Sequence, residues 1–151
     1  MRKTITVKYL QSIGACSKAI IAHKEQSERG TLKVLKLLIK SDRLDWCNWI
    51  ITRLMTKEQR IRYACYAAKQ VLKNFESKYP NDKRPREAIN AALRYLKTPS
   101  AKNRSAARSA AESAARSAAW SAESAARSAA RSAESAILKK ILRHGIKLLI
   151  N

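Results

Sequence analysis

Apolar residues in this chain recur at helical rather than alternating spacing. β-branched alternation runs no further than ITV at residues 5–7, and only 3 Gly and 3 Pro occur, so helix is expected over most of the length. The stretch KYLQSIGACSKAIIAHKEQ predicts a short helix closed by Gly14 as a left-handed cap, then a second helix through Ala19, Ile20 and Ala22. SERG makes a turn. Thr31 is placed to cap a third helix with Leu32, Leu35, Leu38 and Ile39 on one side. Ser41 and Asp42 interrupt that pattern, Asp42 reading as the cap of LDWCNWIITRLM. This next helix is apolar around most of its circumference, as a central core helix is, with Trp46 and Trp49 on one side.

In TKEQ, Thr56 and Gln59 have capping-box spacing. Behind them Ile61, Ala64, Cys65, Ala68, Val71, Leu72 and Phe75 mark one face of a helix. KYPNDKRPREAI reads as a loop and the next helix start, with Asp82 as cap and Pro85 in the first turn, where its missing N–H costs nothing. Ala88, Ile89, Ala92, Leu93 and Leu96 form that helix's buried stripe, and Thr98-Pro99 ends it.

From Ser105 to Ala136 the chain holds little but Ser and Ala. Serines at 105, 109, 113, 117, 121, 124, 128, 132 and 135 are on average 3.75 residues apart, close to one helical turn. Each follows an Arg, a Glu or Trp120, which sets a charged stripe beside the serines and leaves alanines opposite. The steps of three return the stripes to register after each run of fours, a correction that a disordered tail does not need. The spacing therefore predicts a helix from near Asn103 through residue 136, with an Ala face that a second helix could approach closely. Trp120 on its polar stripe either packs against a neighbouring helix or anchors a partner, and Arg108, Arg116, Arg127 and Arg131 line the same stripe.

The last segment, ILKKILRHGIKLLIN, is amphipathic, with Ile137, Leu138, Ile141 and Leu142 on one face and Gly145 expected to bend or interrupt it. It reads as a closing core helix, an anionic-membrane surface helix or an oligomer seam. The architecture expected is all-α: a single domain over 1–151, with short helices in 1–99, the long Ser/Ala-rich helix in 103–136 and the basic amphipathic segment in 137–151.

Charge narrows the partners. The chain has 32 Lys/Arg against 11 Asp/Glu, a net +21, which favours phosphate backbones, anionic lipid or an acidic protein. The excess is dispersed, with 22 basic and 8 acidic residues in 1–99, 6 and 3 in 100–136, and 4 and none in 137–151. Phosphate contact would fall to Lys57, Arg60, Arg62, Lys69 and Lys73 on the post-TKEQ helix, Lys83, Arg84 and Arg86 in the loop, and Lys139, Lys140 and Arg143 near the end. Such DNA or RNA binding would be salt-sensitive and blind to sequence.

No catalytic constellation stands out, and no metal or cofactor is expected. His23 and His144 are far apart, outside metal-ligand spacing of any cysteine, and read as surface residues. Cys16, Cys47 and Cys65 lack disulfide-framework or C-x-x-C spacing and read as free, buried thiols of a cytoplasmic protein. MRKTITVKYLQ lacks a signal peptide's apolar run, and no uninterrupted apolar stretch reaches the roughly 18 residues of a transmembrane span.

LDWCNWIITRLMTKEQRIRYACYAAKQVLKNFESKYPNDKRPREAINAALRYL and the Ala-rich repeat after SAKNRSAA resemble the immunity proteins of bacterial toxin systems, which also occur among phage-encoded proteins. With GACSKAI the resemblance spans most of residues 8–136, and its most specific element is KYPNDKRPREAI followed by an Ala-rich helix. It implies a small helical protein that binds and neutralises a toxin, and it carries over no catalytic or binding residue. Serine in nearly every turn of the repeat and the strongly basic charge depart from that pattern. Inhibitors of nucleases often present negative charge, so this chain is expected to meet an acidic partner, a toxin or host factor. The expected function is non-enzymatic inhibition by stoichiometric occlusion. The alternatives are a nonspecific nucleic-acid-binding accessory protein and a structural or membrane-associated assembly protein, self-associating through the Ala face or the C-terminal helix.

Overall fold

The computed structural model describes residues 2–107, 109 and 131–150. Helices follow one another as α1 (Val7–Ser12), α2 (Ser17–Glu25), α3 (Thr31–Lys40), α4 (Leu44–Leu54), α5 (Lys57–Lys78), α6 (Arg84–Lys97) and α7 (Arg131–Ile150). Residues 101–107 are helical as well. The fold is all-α, as the spacing predicts. Most of the predicted Ser/Ala helix lies outside the described residues, and with it Arg108, Arg116, Trp120 and Arg127. Two compact units are formed, one by residues 1–56 with 138–151 and the other by residues 57–137.

In the first unit α1 pairs with α2 and α3 with α4. Ile5, Leu35, Cys47, Ile51 and Leu142 are sealed from solvent at its core, and Ile141, Ile146 and Leu149 of α7 are buried too. Both interhelix corners close on a left-handed residue. Gly14, at φ +76°, ends α1: its N–H donates to Gln11 O and that of Ala15 to Leu10 O, the paired bonds of a Schellman motif. The same pair ends α3, where Asp42 at φ +57° donates its N–H to Ile39 O and Arg43 donates to Leu38 O.

Asp42 is therefore not the predicted cap of α4 but the residue that closes α3, and its carboxylate pairs with Lys139 Nζ at 2.8 Å. Thr31 is also not a cap. It lies inside α3, buried, and its hydroxyl donates to Arg2 O at 2.7 Å. Gly145 does not break α7, which runs through it while Gly145 itself is buried.

Residues 2–5 run alongside 29–31. Ile5 N–H donates to Arg29 O at 2.8 Å, and Thr31 N–H donates to Lys3 O at 3.0 Å. The Ile5 carbonyl is met by His23 Nε2 at 3.1 Å, while His23 Nδ1 lies 2.9 Å from Gln26 Nε2. His23 is thus buried, against the surface position expected of it, because a sealed backbone carbonyl needs a donor. The Gln26 amide is oriented by Glu28: its Nε2 donates to Glu28 O and its Oε1 accepts from Glu28 N–H. With the amide nitrogen so placed, Nδ1 must accept, and His23 is held as the neutral Nε2–H tautomer.

The second unit is built on the α5–α6 pair. Tyr63 and Cys65 of α5 and Ile89 and Ala91 of α6 are buried. Ala64 and Val71, placed on the buried face of α5 by spacing, are exposed, and Tyr63 is buried instead. Asp82 Oδ1 accepts the Arg84 N–H at 3.1 Å, and Pro85 sits in the first turn. Ser100 Oγ accepts the Asn103 N–H at 3.1 Å, so the helix after Pro99 starts at residue 101, slightly ahead of the expected Asn103.

Two outcomes follow for stability. Nothing lies within 4 Å of a Cβ added at Gly14, so Gly14→Ala carries only the left-handed backbone cost. Chemical denaturation should show a loss of about 1–2 kcal/mol, smaller for Gly14→Asn. Burial holds the His23 imidazole below its ordinary 6.5, with the Ile5 carbonyl opposing and Arg29 reinforcing, and burial lowers His144 too. The unfolded chain then binds more protons, so stability is complete above pH 6.5 and declines as pH falls from there toward the lower folded values. Thermal midpoints measured from pH 7.5 to 5.5 should fall, with a shallower fall in His23→Gln.

Candidate interaction surfaces

The cationic residues singled out by sequence occupy three places. On α5, helical geometry sets Arg62, Lys69 and Lys73 within about 40° of one another, with Arg60 well away from them. Arg62 pairs with Glu58 at 2.7 Å, and Lys57 Nζ donates to the Tyr95 hydroxyl at 3.1 Å. Arg84 and Arg86, expected in the loop, belong to the first turn of α6. Arg84 pairs with Asp82 at 2.7 Å, Arg86 grips both oxygens of Glu76 at 2.6 Å, and Lys83 Nζ donates to Pro80 O at 2.6 Å. Hydrogen bonding to Arg86 is the main reason the Glu76 carboxyl is lowered, and it raises Arg86 in turn. On α7, Lys139 is tied to Asp42, Lys140 and Arg143 are exposed, and Arg131 opens the helix.

Several of these cations are therefore already compensated. Arg60, Lys69, Lys73, Lys140 and Arg143 are exposed and form no ion pair among the described residues. Of the cations singled out by sequence, those five are the charges a partner could neutralise at least cost.

The residues of the first unit also enclose an apolar groove of about 530 Å³. Cys16, just before α2, and Ala19 and Ala22 within it supply small residues, α3 contributes Val34, Leu37 and Leu38, and α4 contributes Trp46, Trp49 and Ile50. Ile5, His23 and Gln26 also line it, so the hydrogen-bonded tie to the N-terminal segment forms part of the wall. Leu37 is 40% exposed, which opens the groove to solvent. Each tryptophan carries a guanidinium over its ring, Arg43 at 5.1 Å from Trp46 and Arg53 at 3.7 Å from Trp49. Periodicity put the two tryptophans together on α4. It held no signal that alanines from α2 would face the same space.

Cys16 corrects the expectation of three buried thiols: it is exposed, at the start of α2, while Cys47 and Cys65 are buried. Among the described residues no group of His, Cys, Asp and Glu could hold a metal ion, and no helix is long and apolar enough to cross a membrane.

These features define an all-α protein with exposed cations and, among the described residues, an apolar groove in its first unit. Its residues 51–145 match the family described as Imm-5 like putative immunity protein, and the chain belongs to that family. The match spans α5 and α6 and reaches into α4 and α7, and it includes KYPNDKRPREAI. No curated protein and no solved structure matches the chain.

Thiol chemistry should separate the cysteines. Burial pushes the Cys47 thiol up to about 12 and raises Cys65, so neither ionises in the folded state near neutrality. Maleimide labelling followed by peptide mass spectrometry should modify Cys16 alone in the native protein and all three in denaturant.

Proposed function

We propose that this chain is a non-enzymatic, cytoplasmic inhibitor in bacterial or phage conflict, neutralising a toxin by stoichiometric occlusion of an acidic surface. Membership of the immunity family is the observation that carries this reading. The net charge of +21 supplies the sign of the partner, since a basic surface repels a basic one and gathers an acidic one from a distance. Arg60, Lys69 and Lys73 on α5, with Lys140 and Arg143 on α7, are the contacts expected to steer it. On the Ser/Ala segment, Trp120 with Arg108, Arg116, Arg127 and Arg131 would supply further contacts.

The test screens the proteins encoded beside this chain's gene for one whose toxicity the chain neutralises. Co-expression should restore growth, and calorimetry should give one chain per toxin. The association rate should drop about tenfold or more between low and high salt, and Lys69→Glu with Lys73→Glu should slow it further. Duplex DNA, by contrast, should be released by physiological salt. Retention of DNA or RNA under those conditions, with no binding of the toxin, would replace this reading by the nucleic-acid one.

A further inference from the structure

Building on the inhibitor reading, we infer that the groove bounded by α2, α3 and α4 is a docking site for an acidic amphipathic helix of the toxin, whose apolar side chains enter between Trp46, Trp49 and Leu37. Its volume lies inside the range of about 300–1,000 Å³ typical of ligand sites, and its lining is predominantly apolar with a few polar groups. Small residues at helical spacing along α2 permit the close approach that a helix requires. Trp46 and Trp49 line the groove, each with an arginine over its ring, and these are residue types that dominate binding energy at protein interfaces.

Charge complementarity selects the occupant. The first unit holds 15 Lys/Arg against 4 Asp/Glu, and two of those acids are already engaged, Glu28 with Lys33 and Asp42 with Lys139. Arg43, in the lining, and Arg53, on α4 over Trp49, place their guanidinium groups over the tryptophan rings and form no ion pair among the described residues; one Arg53 N–H donates to Trp49 O at 3.2 Å and the others stay available. A guanidinium held by its face keeps N–H groups at its edge for a carboxylate. On α3, Lys40 follows Leu37 by three residues and is exposed. Asp45 is the acidic residue in the lining. A helix bearing carboxylates beside its apolar stripe is therefore attracted, and one bearing lysines is repelled.

Two synthetic 18-residue helices provide the probes, sharing Leu at i, i+3, i+4 and i+7 and carrying either Glu or Lys at the polar positions. The readout is the rate of Cys16 alkylation in the full chain, since this thiol lines the groove. The Glu peptide should slow alkylation at least tenfold, and the Lys peptide should leave it unchanged. Ala19→Trp, which fills the groove, and Leu37→Glu at its exposed lip should each abolish binding of the Glu peptide, read by calorimetry, with circular dichroism confirming that the variants fold. Arg43→Glu with Arg53→Glu should weaken the Glu peptide at least tenfold. Equal protection by both peptides, or protection by neither, overturns the assignment. Neutralisation of the toxin by Leu37→Glu at wild-type affinity also overturns it while leaving the inhibitor reading standing. Protection by the Glu peptide in a chain that ignores the toxin sinks the inhibitor reading and the toxin as the occupant, and leaves only the groove's selectivity for an acidic helix.

Discussion

One buried carbonyl organises the first unit. Ile5 is fully sealed from solvent, so its C=O must find a donor inside the protein, and the His23 imidazole supplies it across 18 positions of sequence. His23 can do so only as the Nε2–H tautomer, which Gln26 enforces by presenting its NH₂ to Nδ1. Gln26 is in turn fixed by both backbone groups of Glu28. Glu28 completes the chain: its Oε1 accepts the N–H groups of Arg29 and Gly30, and the Gly30 bond is the leading reason its carboxyl is lowered. A short polar sequence, His23 to Gly30, thus ties α2, the turn and the N-terminal segment together. Ile5, His23 and Gln26 then stand in the groove wall at positions no isolated helix could hold.

The two left-handed corners show how different residues reach one backbone solution. Gly14 reaches it without a Cβ, and its role was legible because glycine between two apolar periodic runs has few other readings. Asp42 reaches it because a short polar side chain tolerates that region, and the Lys139 ammonium beside it makes its charge useful. Sequence alone favoured an N-cap there, since aspartate serves both purposes and the next helix begins almost at once. Gly145 was opaque for the opposite reason. A glycine inside a helix costs about 1 kcal/mol against alanine, yet here it is buried on the helix face that carries the buried Leu142, Ile146 and Leu149, and the burial of that face outweighs a break.

Helix positions were legible wherever the apolar period was strong, as in α3, α4 and α6. Pairings at a distance were not. The count of cations was visible, but not that Glu76 would engage Arg86 ten residues on or that Asp42 would engage Lys139 from the far end of the chain. The effective basic surface is smaller than the sequence total for that reason. The groove was hidden more deeply: alanine reads as a helix former wherever it occurs, and only the tertiary placement of α2 turns Ala19 and Ala22 into the wall of a cavity.

The residues that carry family membership and those that build the groove fall in different parts of the chain, since the match begins at Ile51 and the lining runs from Ile5 to Ile50. That separation would suit the proposed inhibitor, with a long-range attraction that is generic and a short-range fit that is particular. Dispersed cations raise the encounter rate with any acidic surface, but they discriminate poorly among such surfaces. Discrimination requires desolvated contact of defined shape, which a groove with two tryptophans and a rigidly braced wall can provide. Under the proposed docking the buried His23 tie would matter to recognition for this reason: it fixes the wall in advance, so a partner would not have to supply the free energy of ordering it.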